Sequence, residues 1–216
     1  MFDWFSGGSA RSGGLEQMQA EFGQMLDAGH RIFDAAANAF LGGTDVEVIR
    51  EDLFQTDKRI NEAEQKIRRA IVVHASVHGT TSFPACLILM SVVKDAERVG
   101  DYAKNIFDLA ELTSQPPAGP HRESLVALKD RISRLMADCR SVFDARDKPL
   151  TETLIIEAKK IEDDCDAQIS KIISSEQGTE LSVSYALAYR YFKRVASHVS
   201  NVLSSIVRPI DKLDFD

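Results

Sequence analysis

Apolar residues recur every three to four positions along six long stretches of the chain, and glycine or proline marks most of the breaks between them. This period places the apolar side chains on one face of a helix, so each stretch predicts an amphipathic helix. Runs of β-branched residues are few, and the pattern therefore predicts an all-α fold. The predicted helices cover approximately Leu15–Leu41, Val46–Val77, Ser82–Leu112, Arg122–Asp144, Leu150–Ser175 and Leu181–Val207.

The clearest linker is the sequence SQPPAGP at 114–120, with three predicted helices on either side. We therefore expect two tandem three-helix bundles joined by a proline-rich linker. Glycine and serine dominate the residues before the first helix, which predicts a flexible arm. The expected organisation is an arm at 1–14, a first repeat at 15–113, the linker at 114–120, a second repeat at 121–208 and an acidic tail at 209–216.

An internal duplication supports this division. The sequence KRVASHVSNV at 193–202 aligns with ERVGDYAKNI at 97–106, and Arg, Val and Asn recur in place. Likewise, KKIE at 159–162 aligns with KRIN at 58–61. The second copy has lost an acidic pair, because Lys193 and Ser197 stand where the first has Glu97 and Asp101.

The charge of the chain argues against a general nucleic-acid binder. It has 26 Lys and Arg against 33 Asp and Glu, a formal net charge of −7, and the basic residues are interleaved with acids. Binding to phosphate backbones needs clustered Lys and Arg instead.

We expect a cytoplasmic protein. No apolar run approaches the roughly 20 residues of a membrane-spanning helix. The start, MFDWF, contains an acid and lacks the basic region of a signal peptide. Cys86, Cys139 and Cys165 form no CxxC motif, which favours inert core thiols in a reducing compartment.

The candidate chemistry lies on the second and third predicted helices. Glu97 and Asp101 are four residues apart, one turn above each other, and Asp57, Asn61 and Glu64 form a similar stripe. Two carboxylates at this spacing repel by a few tenths of a kcal/mol on an exposed helix, so they are either neutralised or used. Carboxylate and amide oxygens suit hard cations such as Mg²⁺, Mn²⁺ or iron.

The alternative is that these acids form ion pairs across the bundle, as surface acids commonly do. The spacing alone leaves both interpretations open. The basic residues available for such pairs are Lys58, Lys94, Arg98 and Lys104.

Other motifs carry less information. Asp27 and His30 form one DxxH, whereas a di-iron bundle needs two ExxH repeats and two further Glu, so we expect His30 at the surface or between helices. His74 and His78 have a spacing compatible with metal binding, but the lack of a third ligand nearby favours capping or loop roles. No phosphate-binding glycine loop or G-x-S-x-G motif is present, so no enzyme is expected.

The segments DKRIN at 57–61 and ERVGDYAKNI at 97–106 resemble the PhoU family of phosphate-uptake regulators, and the similarity extends from about Leu15 to Val207. The resemblance implies two PhoU-type repeats whose ExxxD-type motifs bind multinuclear metal clusters in some family members. The cation would be iron, Mn, Mg or Zn, or none would be bound. The implied metal ligands are Glu97, Asp101, Asp57 and Asn61 in the first repeat, and Glu162 and Asp166 in the second.

This chain departs from the family pattern at three places. Asn61 replaces the usual acid, and Lys193 and Ser197 do not fit a cation site. In the second repeat, the ammonium of Lys193 therefore stands as the alternative to a metal.

The resemblance also implies a function. Such a protein is a non-enzymatic adaptor between the ATPase subunit of a phosphate ABC transporter and a membrane sensor histidine kinase. It would reach the membrane only through these partners and form a homodimer. We expect helices 1 and 4, or the arm with Phe2, Trp4 and Phe5, to contact them. The alternatives are a regulator of another ion transporter or channel and, less in keeping with the motifs, a carboxylate-bridged metal enzyme.

Gly100 lies in the middle of the third predicted helix, where alanine would be about 1 kcal/mol more favourable. We therefore expect another helix to approach closely at this position.

Overall fold

The computed structural model describes residues 13–174 and 180–213, and the regular structure within these ranges is entirely helical. The predicted all-α class is confirmed. The α-helices are α1 (Gly13–Phe40), α2 (Val46–His78), α3 (Phe83–Leu112), α4 (Gly119–Ala145), α5 (Lys148–Ser174) and α6 (Glu180–Val207), and single 3-10 turns span Gly79–Thr81 and Ile210–Lys212. The predicted arm at 1–14 lies almost wholly outside the described residues.

Proline explains why α4 and α5 begin earlier than the sequence predicted. α4 begins at Gly119 and includes Pro120, which the sequence placed in the linker, and α5 likewise includes Pro149. Proline fits the first turn of a helix, because the amide it lacks has no partner there. Asp147 caps α5, since its Oδ1 accepts a hydrogen bond from the Leu150 amide at 3.0 Å.

The two groups of three helices share one core. Each group packs internally, and the groups meet where α1 packs on α4 and where α3 packs on α6. Buried side chains from all six helices form one continuous hydrophobic cluster. Aromatic pairs cross the boundary: the ring centroids of Phe22 and Phe143 lie 4.9 Å apart, and those of Phe33 and Phe192 lie 5.6 Å apart. The tandem bundles are therefore one packed unit.

The buried positions of the repeats correspond helix by helix. The offset is 103 positions between α1 and α4, 101 between α2 and α5, and 96 between α3 and α6. Equivalent core residues fix these offsets: Phe40 with Phe143 (143 minus 40), Ile60 with Ile161 (161 minus 60), and Ile106 with Val202 (202 minus 106). The offset falls by five between the last two pairs because Ile60 and Ile106 are 46 positions apart (106 minus 60), whereas Ile161 and Val202 are 41 apart (202 minus 161).

The three cysteines are buried and free, as predicted. Burial raises the pKa of Cys139 to about 12 and contributes most to a similar rise at Cys165, so both thiols are poor nucleophiles at neutral pH. None of the described helices is long and apolar enough to cross a bilayer.

The close approach predicted at Gly100 is confirmed. A Cβ at this position would lie 3.4 Å from Oδ1 of Asp57, 3.4 Å from Cδ1 of Ile60 and 3.7 Å from Cδ1 of Ile32. These are ordinary contact distances, so one methyl group fits between α3 and its neighbours and a larger side chain does not.

The free energy of unfolding of Gly100→Ala is therefore expected to equal that of the wild type or to exceed it by up to about 1 kcal/mol, because alanine favours the helix. Gly100→Leu is expected to lose about 1–3 kcal/mol, because its branch overlaps α1 and α2. Urea unfolding of the three proteins measures both changes. Equal stability of the leucine variant and the wild type would contradict the packing at Gly100.

Candidate cation site between the second and third helices

The predicted acids face each other across the antiparallel pair of α2 and α3. Asp57 is only 8% exposed, and its Oδ2 accepts a hydrogen bond from Nζ of Lys104 at 2.9 Å. The same ammonium lies 3.2 Å from Oδ1 of Asp101, and Nη1 of Arg98 donates to Oδ2 of Asp101 at 3.0 Å. Lys104 thus bridges two carboxylates that the resemblance assigned to a metal.

Asn61 completes the polar surroundings of Asp57. Its Nδ2 lies 3.1 Å from the Asp57 carbonyl oxygen and 3.3 Å from Oδ2. The other carboxylate oxygen, Oδ1, is buried and accepts no hydrogen bond from any residue in the described ranges. Asp57 therefore keeps one buried oxygen on the side of Gly100 that is available to a further donor or a cation.

A second pair of acids lies two helical turns from this bridge. Glu97 on α3 and Glu64 on α2 are 6% and 8% exposed. Each has its own cation on the same helix: Lys94 Nζ lies 2.5 Å from Glu97, and Arg68 Nη2 lies 3.0 Å from Glu64. Desolvating a carboxylate is costly unless it is paired, which explains why both acids have basic partners.

Toward solvent, the site opens into a groove of about 390 Å³. Burial lowers the pKa of Lys104, but hydrogen bonds and charge from Asp57 and Asp101 outweigh it, so the pKa lies above its usual value. The ammonium is therefore charged at neutral pH. The groove is lined by Phe54, Arg98, Asp101, Tyr102, Lys104, Asn105 and Asp108. Asp108 is an additional carboxylate that the sequence motif did not include.

The donor set fits a hard cation in chemistry, because it consists of carboxylate and amide oxygens. Among the residues that the structure describes, however, no three His, Cys, Asp or Glu side chains converge as a metal site requires. The Lys104 ammonium already lies within 3.2 Å of both Asp57 and Asp101. A metal bound to these two carboxylates would take its place.

The second repeat keeps an acid at only one of the equivalent positions, Glu162. Glu162 is half-buried and stands where the first repeat has Asn61, and Asp166 is exposed and pairs with Lys193. The ammonium of Lys193 thus neutralises one of the two acids assigned to the second metal. The other equivalences are Ala158 for Asp57, Cys165 for Glu64, Ser197 for Asp101 and Ser200 for Lys104.

A buried polar cluster that the sequence motifs did not indicate joins α3 to α6. Asp95 Oδ1 lies 2.8 Å from His198 Nδ1 and 2.8 Å from Asn201 Nδ2. Nη2 of Arg194 lies 3.1 Å from His198 Nε2, and because a guanidinium only donates, Nε2 accepts and Nδ1 donates to Asp95. Arg194 also donates from Nε to the Tyr102 hydroxyl at 3.2 Å.

This cluster lies at the pseudo-two-fold axis of the duplication. The rings of Tyr102 and His198, which occupy equivalent positions, stack with centroids 5.6 Å apart. Asp95 contacts His198, and Tyr102 contacts Tyr191, so numbers fall along α6 as they rise along α3. The two helices are antiparallel. The signal in the sequence was a polar residue on an otherwise apolar face of each helix.

The other histidines lie apart from the cation site. His30 contacts Ser133 across the α1–α4 boundary at 2.8 Å, which confirms the interhelix position expected for it. The rings of His74 and His78 lie 4.2 Å apart at the end of α2, and no further ligand group joins them in the described part of the chain.

Comparison with known proteins gives a family match within the first repeat. Residues 22–110 match the family model of the PhoU domain. Over 203 residues, the chain is also 26% identical to an uncharacterised protein of Deinococcus radiodurans, a match covering 87% of this chain and 85% of the relative.

Two crystal structures share the fold of the whole chain. PhoU from Pseudomonas aeruginosa superposes with a TM-score of 0.78 at 15% identity, covering 90% of this chain and 95% of that one. The phosphate transport system regulatory protein PhoU from Streptococcus pneumoniae gives 0.74 at 17% identity, covering 89% and 93%. Both repeats therefore have the fold of these PhoU structures, and the candidate cation site lies within the residues that match the family model.

Lys104→Met is expected to lower the free energy of unfolding by about 1–3 kcal/mol, because it leaves the buried Asp57 carboxylate without its cation. The double variant of Lys104→Met and Asp57→Asn should lose less free energy of unfolding than the sum of the two single variants, since the charge and its partner are then both absent. A double-mutant cycle in urea measures this coupling.

Lys159→Met is the matched control in the second repeat. Its partner Asp163 is solvent-exposed, so a loss below about 0.5 kcal/mol is expected. Additive effects of Lys104→Met and Asp57→Asn would show that the bridge does not couple α2 to α3.

Proposed function

We propose that this protein is a non-enzymatic regulator of phosphate uptake and of the phosphate-starvation response. In this proposal it is a cytoplasmic homodimer that connects the ATPase subunit of a phosphate ABC transporter to a membrane sensor histidine kinase. The observation that carries the proposal is the PhoU domain match over residues 22–110, which includes the whole α2–α3 site.

The site is better suited to holding a cation or a partner than to catalysis. Its carboxylates are neutralised by Lys104, Arg98 and Lys94. No His or Cys is among the groove-lining residues, and a general acid or base with a pKa shifted toward neutrality would be the usual sign of an active site.

A phosphatase reporter of the starvation response tests the regulatory role. In phosphate-rich medium, a strain lacking the gene should give high reporter output, and a plasmid with the wild-type gene should silence it. Both strains should give high output in phosphate-poor medium, which controls for the reporter itself. Low output in phosphate-rich medium without the gene would contradict the proposal and favour a regulator of another transporter or channel.

We further propose that Asp57, Asp101 and Asn61 bind a divalent cation that competes with Lys104, with Glu97, one turn from Asp101, contributing to the same acidic face. Calorimetric titration with Mn²⁺ should show binding by the wild type and weaker binding by Asp101→Asn. Lys104→Met should bind more tightly, by about tenfold or more, because a competing positive charge has been removed from the site.

Asp166→Asn serves as the matched control, because it removes an acid of the second repeat and should leave binding unchanged. Circular dichroism establishes that each variant is folded. Equal binding by the wild type and Asp101→Asn, or no binding by any of the proteins, would contradict a metal at this site.

A further inference from the structure

We propose that the hairpin tip formed by the end of α2 and the start of α3 docks directly onto an anionic lipid surface. The hairpin tip is defined here as residues 70–93, which include the 3-10 turn between the helices. This contact differs from the role at the cation site and would give the protein its own affinity for membranes.

Two histidines are the only acidic or basic residues of the hairpin tip. Residues 70–93 contain no Asp, Glu, Lys or Arg, although 27% of the whole chain is charged. A hairpin end surrounded by water normally carries such residues for solubility. Their absence from 24 consecutive positions (93 minus 70, plus one) indicates a surface that is covered in use.

Large apolar side chains are exposed on both sides of the turn. Five of them, 43–72% exposed, lie in the last two turns of α2 and at the start of α3. Because both helices end here, these side chains form the end of the molecule and can enter the headgroup region together. The five are Val72, Val73, Val77, Phe83 and Leu87.

A basic collar borders this apolar end. Lys66, Arg68 and Arg69 lie on α2 directly before the tip, and all three are exposed. Lys66 and Arg69 line the same groove of about 400 Å³ as Val73 and Val77. Basic residues beside inserted apolar ones complement the charge of anionic headgroups, and their long side chains can reach the phosphates.

Two acids face the collar, and neither lies in the tip. Glu21 of α1 pairs with Lys66 at 2.6 Å, and Glu64 pairs with Arg68 at 3.0 Å. Both pairs involve exposed basic side chains, so headgroup phosphates can compete for them. Tip-to-tip contact between two copies is disfavoured, because it would bring the collars of like charge together.

The second repeat offers a matched comparison. Ile173 and Val183 are 76% and 61% exposed and are equivalent to Val72 and Leu87. The residues of α5 equivalent to Lys66, Arg68 and Arg69, however, are Ala167, Ile169 and Ser170, and Lys171 is the basic residue in its last turn. Because α3 and α6 are antiparallel, this second hairpin end points to the opposite end of the molecule. At these two positions its apolar exposure is comparable to that of the hairpin tip, but it has one neighbouring basic residue, Lys171, where the tip has a collar of three.

Co-sedimentation of the purified full chain with lipid vesicles tests the proposal. The wild type should bind vesicles of equal parts phosphatidylcholine and phosphatidylglycerol, and should not bind phosphatidylcholine alone. Val72→Asp with Leu87→Asp should weaken binding about tenfold or more, since two inserted side chains become charged. The matched double variant, Ile173→Asp with Val183→Asp, should bind like the wild type. All four positions are exposed, so both variants should keep the helical circular dichroism spectrum.

Arg69→Gln and added salt should each weaken the binding, because both reduce the attraction of the collar for anionic lipid. The proposal is wrong if the wild type does not bind anionic vesicles, or if the two double variants lose binding equally. It is also wrong if Val72→Asp with Leu87→Asp changes only the oligomeric state in gel filtration, which would make the tip an interface between copies. The assay uses purified protein, so its outcome is independent of the phosphate reporter.

Discussion

The antiparallel packing of α3 on α6 is the contact on which the rest of the structure depends. Its centre is polar, with Asp95 held by His198 and Asn201 at 2.8 Å each. A buried carboxylate tolerates only the register in which its partners are in place, because a slip of one turn would leave it unpaired. Fixing α3 against α6 also places α2 and α5, which pack on them, along opposite flanks of the molecule.

The α2–α3 interface depends on a specific pair of charged residues, unlike the apolar core beside it. Apolar packing alone would accept many side chains of suitable size, whereas the buried Asp57 needs Lys104 on the facing helix at a fixed level. Gly100 permits this approach by leaving room beside Oδ1 of Asp57. The same arrangement leaves Oδ1 of Asp57 without a hydrogen bond from any described residue. The interface therefore fixes the two helices against each other and is also a candidate binding site.

Helical periodicity was sufficient to predict the six helices, and the aligned segments of the two halves predicted the duplication, because packing imposes the same apolar spacing on both repeats. The periodicity also placed Asp57 and Asp101 on polar stripes of the second and third helices. The pairing of Lys104 with both acids could not be deduced, since spacing along one helix does not give its register against another. The cluster of Asp95 and His198 was missed for a related reason: its members are 103 positions apart and meet only through the α3–α6 contact.

The duplication shows which features the bundle requires. Both repeats bury equivalent apolar residues, yet where the first has Asp57, Glu64 and Lys104 the second has Ala158, Cys165 and Ser200. The second bundle packs α5 on α6 without those charges, so the three-helix architecture does not need them. Buried ion pairs contribute little net stability compared with apolar residues of similar size. The fold therefore does not explain why the first repeat alone has these charges, and the α2–α3 face is where the two halves of this molecule differ in chemistry.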